Sequence, residues 1–206
     1  MNKYLLYVGG IVAAVIGALF FQQVSKLAQP EHALFYEQAR EIKPFEFTDH
    51  KGQSFTKNHL KGKWSLVFFG YTSCPDVCPT TLQNLGFIYD DLKNLANNSQ
   101  VLLVSVDPVR DTQEKLSQYI AYFNREFIAL RAGHDVLFPF ARNLGLMYAI
   151  SGEEEGYLVD HSASLVLINP DGNITAIFKP EQEVGKMPSI DSDKLLSDYQ
   201  KIVALF

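Results

Sequence analysis

Between Trp64 and Tyr71 the chain reads WSLVFFGY, a nearly continuous apolar run bounded by Lys63 and Thr72. A strand of this composition has no polar face to turn toward water, so it belongs inside a sheet covered on both sides. Val101 to Val106 repeats the pattern and is stopped by Pro108. Leu82, Leu85, Ile88, Tyr89, Leu92 and Leu95 recur at helical spacing between the two runs. Leu116, Tyr119, Ile120, Phe123 and Phe127 mark a second amphipathic helix after them. A sheet of buried strands needs a substantial apolar core, and 206 residues with 47% hydrophobic and 20% charged side chains supply one. The same composition excludes a disordered or collagen-like chain.

The remaining elements complete an α/β order. Phe45–Thr48 and Ser54–Thr56 flank the turn-forming residues Asp49-His50-Lys51-Gly52 and predict an N-terminal β-hairpin. A short helix is expected over Val136–Leu144. Ser164–Ile168 and Ile174–Phe178 flank Asn169-Pro170-Asp171-Gly172, a second hairpin, and Leu195, Leu196, Tyr199, Ile202, Val203 and Phe206 mark a closing helix. Strand, helix, strand, helix, then hairpin and helix is the order of a thioredoxin-like fold. It is expected over residues 44–206, behind a tether with some helical character at residues 23–43.

Residues 1–22 read as a membrane anchor. Tyr4 to Phe21 carries no charge, and eighteen such residues in a helix span about 27 Å, close to a bilayer's hydrocarbon thickness. A cleaved signal peptide is the rival reading, but it has an apolar region of about 7–15 residues and a small-residue cleavage site. Gln22-Gln23-Val24-Ser25-Lys26-Leu27-Ala28 offers no such pattern. Lys3 before the span and Lys26, Arg40 and Lys43 after it leave the orientation open. No Arg-rich, Ser-rich transit peptide precedes the span, which favours a bacterial context. A net charge of −5 argues against a nucleic-acid partner.

Only two cysteines are present, which excludes a disulfide-dense scaffold or a site of four thiolates. Cys74 and Cys78, in Ser73-Cys74-Pro75-Asp76-Val77-Cys78-Pro79, fall at the junction of the central strand and the first long helix. A helix N-terminus favours the thiolate form. Three residues separate the pair where thioredoxin-type motifs have two, and at i and i+4 both sulfurs share one face of a helical turn. They can grip one ion or close into a disulfide. A structural disulfide or a pair of core cysteines is the plain alternative, although two flanking prolines are hard to explain by packing. Structural zinc takes four ligands, whereas two thiolates and one imidazole suit copper. Of the five histidines, His32 lies in the tether, His50 and His59 near the early hairpin, and His134 in a loop. His161, at the mouth of the strand Ser164–Ile168, is the geometric favourite for a third ligand, because in a thioredoxin-like fold that loop faces the cysteine loop.

FGYTSCPDVCP (Phe69–Pro79), VDPVRDT (Val106–Thr112) and YLVDHS (Tyr157–Ser162), in this order behind an N-terminal anchor, closely resemble the SCO/SenC family over roughly residues 40–205. The resemblance implies a membrane-tethered, thioredoxin-like copper chaperone that assists assembly of the CuA centre of cytochrome c oxidase. Its partners would be the copper-receiving oxidase subunit, or another copper or thiol protein, and the lipid bilayer. One copper ion, Cu(I) or Cu(II), would be held by Cys74, Cys78 and His161. The chain would be a single-pass protein of the bacterial inner membrane with its soluble domain in the periplasm. Ser73 departs from the pattern, since members often carry a histidine or an aromatic residue there.

A thiol–disulfide oxidoreductase using Cys74 and Cys78 as its redox pair is the enzymatic alternative. A peroxidase-like protein using one cysteine as the oxidisable nucleophile is disfavoured by the paired motif and by the lack of a further resolving residue. Asp111 and Glu114 are spaced as a capping box, which assigns Asp111 to capping the following helix. Asp107 is expected near the site or on a docking surface. Asp76 and Asp160 adjoin the ligands and either tune the metal or stand in solvent. Gly152–Gly156 reads as a hairpin tip. Met1, Met147 and Met187 are scattered and form no methionine-rich copper box.

Overall fold

The computed structural model describes residues 3–27, 29–152, 157–182, 185 and 187–206, with the side chains at 5, 6 and 22–27 left out. A first helix, α1 (Lys3–Leu27), precedes the folded body. Its described apolar side chains are exposed, among them Ile11, Val15, Leu19 and Phe20. Among the described residues no helix is long and apolar enough to cross a membrane.

The body is built on an eight-stranded sheet in the order β1-β10-β9-β4-β5-β6-β2-β3. Its strands are β1 (Leu34–Glu41), β2 (Glu46–Asp49), β3 (Ser54–Thr56), β4 (Trp64–Gly70), β5 (Ser99–Ser105), β6 (Ile128–Arg131), β9 (Leu165–Ile168) and β10 (Asn173–Phe178). A separate antiparallel pair, β7 (Tyr148–Ser151) and β8 (Leu158–His161), stands off the main sheet. Every residue of β4 and of β5 is buried, as their unbroken apolar runs require. They pair in parallel from Trp64↔Ser99 to Gly70↔Ser105, and β9 pairs antiparallel on the other side of β4.

Five further helices cover the sheet: α2 (Val77–Phe87), α3 (Tyr89–Leu95), α4 (Gln113–Phe123), α5 (His134–Leu144) and α6 (Ser192–Leu205). Trp64 meets Tyr199 of α6 with ring centroids 6.0 Å apart, whereas Phe69 meets Phe140 of α5 at 6.3 Å. Strand residues an odd number apart point to opposite faces, so α6 and α5 lie on opposite sides of β4. The sheet is thereby shielded on both faces and can tolerate a central strand without polar side chains.

Three expectations change. The helical periodicity from Leu82 to Leu95 is carried by two helices, α2 and α3, that break at Ile88. Phe127 lies beyond α4, fully buried, just before the four-residue strand β6. The segment 23–43 is helical only to Leu27. From Leu34 it is an edge strand antiparallel to β10, so the sheet begins ahead of residue 44. The junction is gripped by Asp198 of α6, a fully buried carboxylate that accepts the backbone N–H groups of Glu31 (2.9 Å), His32 (2.6 Å) and Ala33 (2.7 Å). A buried charge needs such partners to be tolerated. The early hairpin forms as β2 and β3, and β7 and β8 pair as the flanks of the expected acidic hairpin. Residues 153–156 of its tip lie outside the described residues.

Candidate metal centre

The parallel strands β4 and β5 end side by side, and the chain beyond each builds the site. After Gly70 it turns through Tyr71 and Thr72, with the Cys74 N–H donating to the Tyr71 carbonyl at 3.2 Å. It then enters α2 at Val77. Cys74 therefore precedes the helix and Cys78 sits in its first turn, rather than both lying on one helical face. The sulfurs still converge, because the Cys78 backbone N–H points out of the helix N-terminus at the Cys74 Sγ, 3.5 Å away. That N–H has no carbonyl partner within the helix, so the sulfur takes the place of a cap.

His161 closes the arrangement from the end of β8. Its Nε2 lies 3.2 Å from the Cys78 Sγ, while its Nδ1 stands 3.2 Å from the carbonyl oxygen of Ser162. Phe68 and Tyr71 hold the ring edgewise, each with centroids 5.9 Å away. The sulfurs of Cys74 and Cys78 and a ring nitrogen of His161 all lie within 4.8 Å of one another, and no other metal-ligating cluster occurs among the described residues. Thiolate and imidazole sit roughly 2.3 and 2.0 Å from a tetrahedral first-row ion, which puts neighbouring ligands about 3–4 Å apart. The three donors fit one ion with little movement.

Neither cysteine is disulfide-bonded, and their surroundings drive their pKa values in opposite directions. The Cys78 thiol donates to Cys74, and His161 and the backbone amides of Cys78 and Asp76 add to this. Together these outweigh burial and pull Cys74 down to about 4. Burial is the main cause that pushes the Cys78 thiol up, with the neighbouring Cys74 adding to it. Without a metal the pair is one exposed-side thiolate and one buried thiol. Binding an ion to both sulfurs expels the Cys78 proton.

The other histidines have structural partners. The His50 Nδ1 accepts the Ala129 N–H at 3.2 Å. His59 Nδ1 accepts the Thr56 N–H at 3.0 Å, and His134 Nδ1 pairs with the Tyr148 hydroxyl at 2.8 Å. The backbone N–H of His32 is held by Asp198. Asp76 and Asp160 are exposed. They border an open cleft of about 270 Å3 that also exposes Cys74 and His161.

Behind the ligands, buried polar contacts connect the three motifs. Asp111 is fully buried and is no helix cap; Thr112 caps α4 by accepting the Lys115 N–H at 3.3 Å. The Asp111 carboxylate instead accepts the Thr72 N–H (3.1 Å), the Thr72 hydroxyl (2.6 Å) and the Ser105 hydroxyl (2.6 Å). It pins the cysteine loop to the end of β5. Burial pushes its carboxyl up, opposed by these donors. Asp107, 1% exposed, accepts the Tyr157 hydroxyl at 2.5 Å and pairs with the Arg110 guanidinium. Arg110 also donates to the Tyr157 carbonyl at 2.9 Å and lies 3.8 Å from its ring centroid. These contacts fix the strand that ends in His161. Asp107 thus lies behind the site as a brace.

Gly70 has a steric reason. A Cβ there would stand 3.1 Å from the Cys78 Sγ and 3.0 Å from Leu103 Cδ1, closer than side chains comfortably pack. Neither this contact nor the roles of Thr72, Arg110 and Tyr157 follow from spacing, although all four residues lie inside the motifs.

The family model described as SCO1/SenC matches residues 35–190. A Stutzerimonas stutzeri protein provisionally named as copper-binding is 36% identical over 150 residues, which cover 72% of this chain and 74% of that protein. The human protein named mitochondrial SCO1 homolog is 32% identical over 148 residues, 70% of this chain and 49% of its own length. The crystal structure of Arabidopsis thaliana ScoI with copper bound superposes with a TM-score of 0.71 at 30% identity, covering 81% of this chain and 100% of that one. The mixed α/β, thioredoxin-like fold is shared with these structures. With a family match across most of the folded body, two motifs supplying one cluster of two cysteines and a histidine, and the third motif bracing it from behind, the chain belongs to the SCO1/SenC family.

Proposed function

We propose that this protein binds one copper ion between Cys74, Cys78 and His161 and serves as a copper chaperone in building the CuA centre of cytochrome c oxidase. The observation that carries the reading is the convergence of two sulfurs and an imidazole nitrogen within 4.8 Å. Two soft sulfurs favour Cu(I), and imidazole accepts either oxidation state. The half-exposed Cys74 faces the cleft, so it is the ligand that an acceptor's thiolate reaches first. Cys78 and His161 sit behind it, braced by α2 and β8. The partner that fits this chemistry is the copper-receiving oxidase subunit or another copper or thiol protein.

Membrane attachment belongs to the same proposal. The uncharged sequence Tyr4–Phe21 lies within a 25-residue helix whose described apolar side chains are exposed. That suits a lipid environment better than water. The family resemblance supports the bacterial inner membrane, with the folded body in the periplasm.

Thiol–disulfide exchange through Cys74 and Cys78 has no need of an imidazole donor beside the buried sulfur. The position of His161 therefore favours copper. Copper titration of the reduced full-length protein separates the two readings. His161→Ala should weaken copper binding at least tenfold and leave thiol–disulfide exchange intact. Undiminished copper affinity in that variant would overturn the assignment of His161 and with it the three-donor site.

A further inference from the structure

Two of the three methionines stand in the open. Met187 is 49% exposed and Met147 is 78% exposed, although a thioether side chain ordinarily fills a core. Each lines a recess that His161 also lines, but the two recesses differ. Met187 lines the cleft of about 270 Å3 together with Cys74, Asp160 and His161. Met147 lines a second recess with Tyr148, Asp160 and His161, and Cys74 is not part of that wall.

We propose that the thioether of Met187 is an auxiliary copper(I) ligand that reaches the ion from the open side of the cleft. The inference rests on the copper site proposed above and extends it by one residue. Cys78 and His161 hold an ion from behind and Cys74 from the rim, which leaves the cleft as the open direction of approach. Soft sulfur is the donor class that Cu(I) prefers, and three rotatable bonds let a methionine follow the ion as its other ligands change. A neutral thioether binds more weakly than a thiolate. It can shelter the ion from water while an incoming thiolate displaces Cys74, without retaining it afterward. It carries no proton to lose, so its contribution does not vary across neutral pH. Cu(II), a harder ion, gains less from it. The exposed carboxylates of Asp76 and Asp160 on the same cleft favour approach of a cation.

The test is copper K-edge X-ray absorption and competition with a Cu(I) chelator, both on the reduced full-length protein, with copper alone as the added ligand. Cu(I)-loaded wild type should show three sulfur scatterers, and Met187→Leu should show two. The same variant should lose about five- to tenfold in Cu(I) affinity and less than twofold in Cu(II) affinity, whereas Met147→Leu should match wild type in both. Selenomethionine-labelled protein gives a reading without disturbing the fold, because a copper neighbour should appear at the selenium edge and vanish in Met187→Leu. Two sulfur scatterers in the wild type, or no copper neighbour at selenium, would overturn the role of Met187 and leave the three-donor site standing. Failure of the wild type to bind copper at all would overturn both.

Discussion

Asp111 receives three donors from two different parts of the chain, and its replacement by alanine leaves all three without their acceptor. The Ser105 hydroxyl is completely buried, and the Thr72 groups are partly so. A buried donor stripped of its partner costs about 1–3 kcal/mol. Water can reach Thr72 more readily than Ser105, so the sum for Asp111→Ala is about 3–5 kcal/mol. That is a large share of the roughly 5–15 kcal/mol typical of a folded domain. Asp111→Asn keeps the shape and one acceptor oxygen but points an amide N–H toward a hydroxyl, and its loss should be smaller, about 1–3 kcal/mol. Urea unfolding followed through Trp64, the single and deeply buried tryptophan, measures both. Alkylation of Cys74 supplies an independent readout, since freeing Thr72 should loosen the loop two residues before that sulfur and change its labelling rate. A loss below 1 kcal/mol for Asp111→Ala, with an unchanged denaturant slope and unchanged labelling, would refute the assignment of Asp111 as the brace of the cysteine loop.

Gly70→Ala would press a methyl group against the Cys78 sulfur and Leu103. We expect about 1–3 kcal/mol of destabilisation and a weaker copper complex, measured by unfolding and by Cu(I) competition; wild-type affinity would show that the sulfur does not need this space. Tyr157→Phe removes one hydroxyl from buried Asp107 and should cost about 1–3 kcal/mol, read by thermal unfolding, with the Cys74 alkylation rate unchanged. In metal-free reduced protein, the Cys78 thiol and the other donors around Cys74 pull it down to about 4. Below that value it gains its proton and loses nucleophilicity, and above it the thiolate persists. Iodoacetamide labelling should therefore rise through an inflection near pH 4 and stay level from about pH 5.5 to 7.5, with Cys78 unlabelled. An inflection at the ordinary thiol range near pH 8.5 would refute the stabilisation of the Cys74 thiolate by the Cys78 thiol.

Much of the fold can be read from the sequence because buried parallel strands have an unmistakable composition. The runs ending at Tyr71 and Val106 can lie only in a covered sheet, and the turn Asn169–Gly172 fixes the hairpin that follows. The strands that escape a sequence reading, β1 and β6, lack that signature. β1 is an edge strand, mostly exposed, whose residues LFYEQARE alternate too loosely to show a face. β6 is four residues long and follows the buried Phe127, whose spacing from Phe123 imitates another turn of helix. At the site, the same logic separates the ligands from their supports. Cys74, Cys78 and His161 are rare residue types, and their chemistry narrows their roles. Asp111 is a common residue in a position where two local patterns compete, and its partner Thr72 is 39 residues away. Spacing suggests a cap, whereas tertiary structure makes it a brace.

The carboxylate of Asp198 acts on geometry at a larger scale. Because it fastens Glu31, His32 and Ala33 to α6, the anchored body begins four residues after Leu27, the last residue of α1. Four consecutive Cα steps of 3.8 Å limit that separation to about 15 Å. Were α1 seated in a bilayer, as proposed above, so short a leash would keep the body against the lipid surface rather than sampling the compartment. Delivery would then depend on lateral encounters in two dimensions, with acceptors that offer their own thiols at the height of the membrane. Lengthening this leash with a flexible insert should let the protein serve acceptors farther from the bilayer, at the expense of the local concentration that confinement provides.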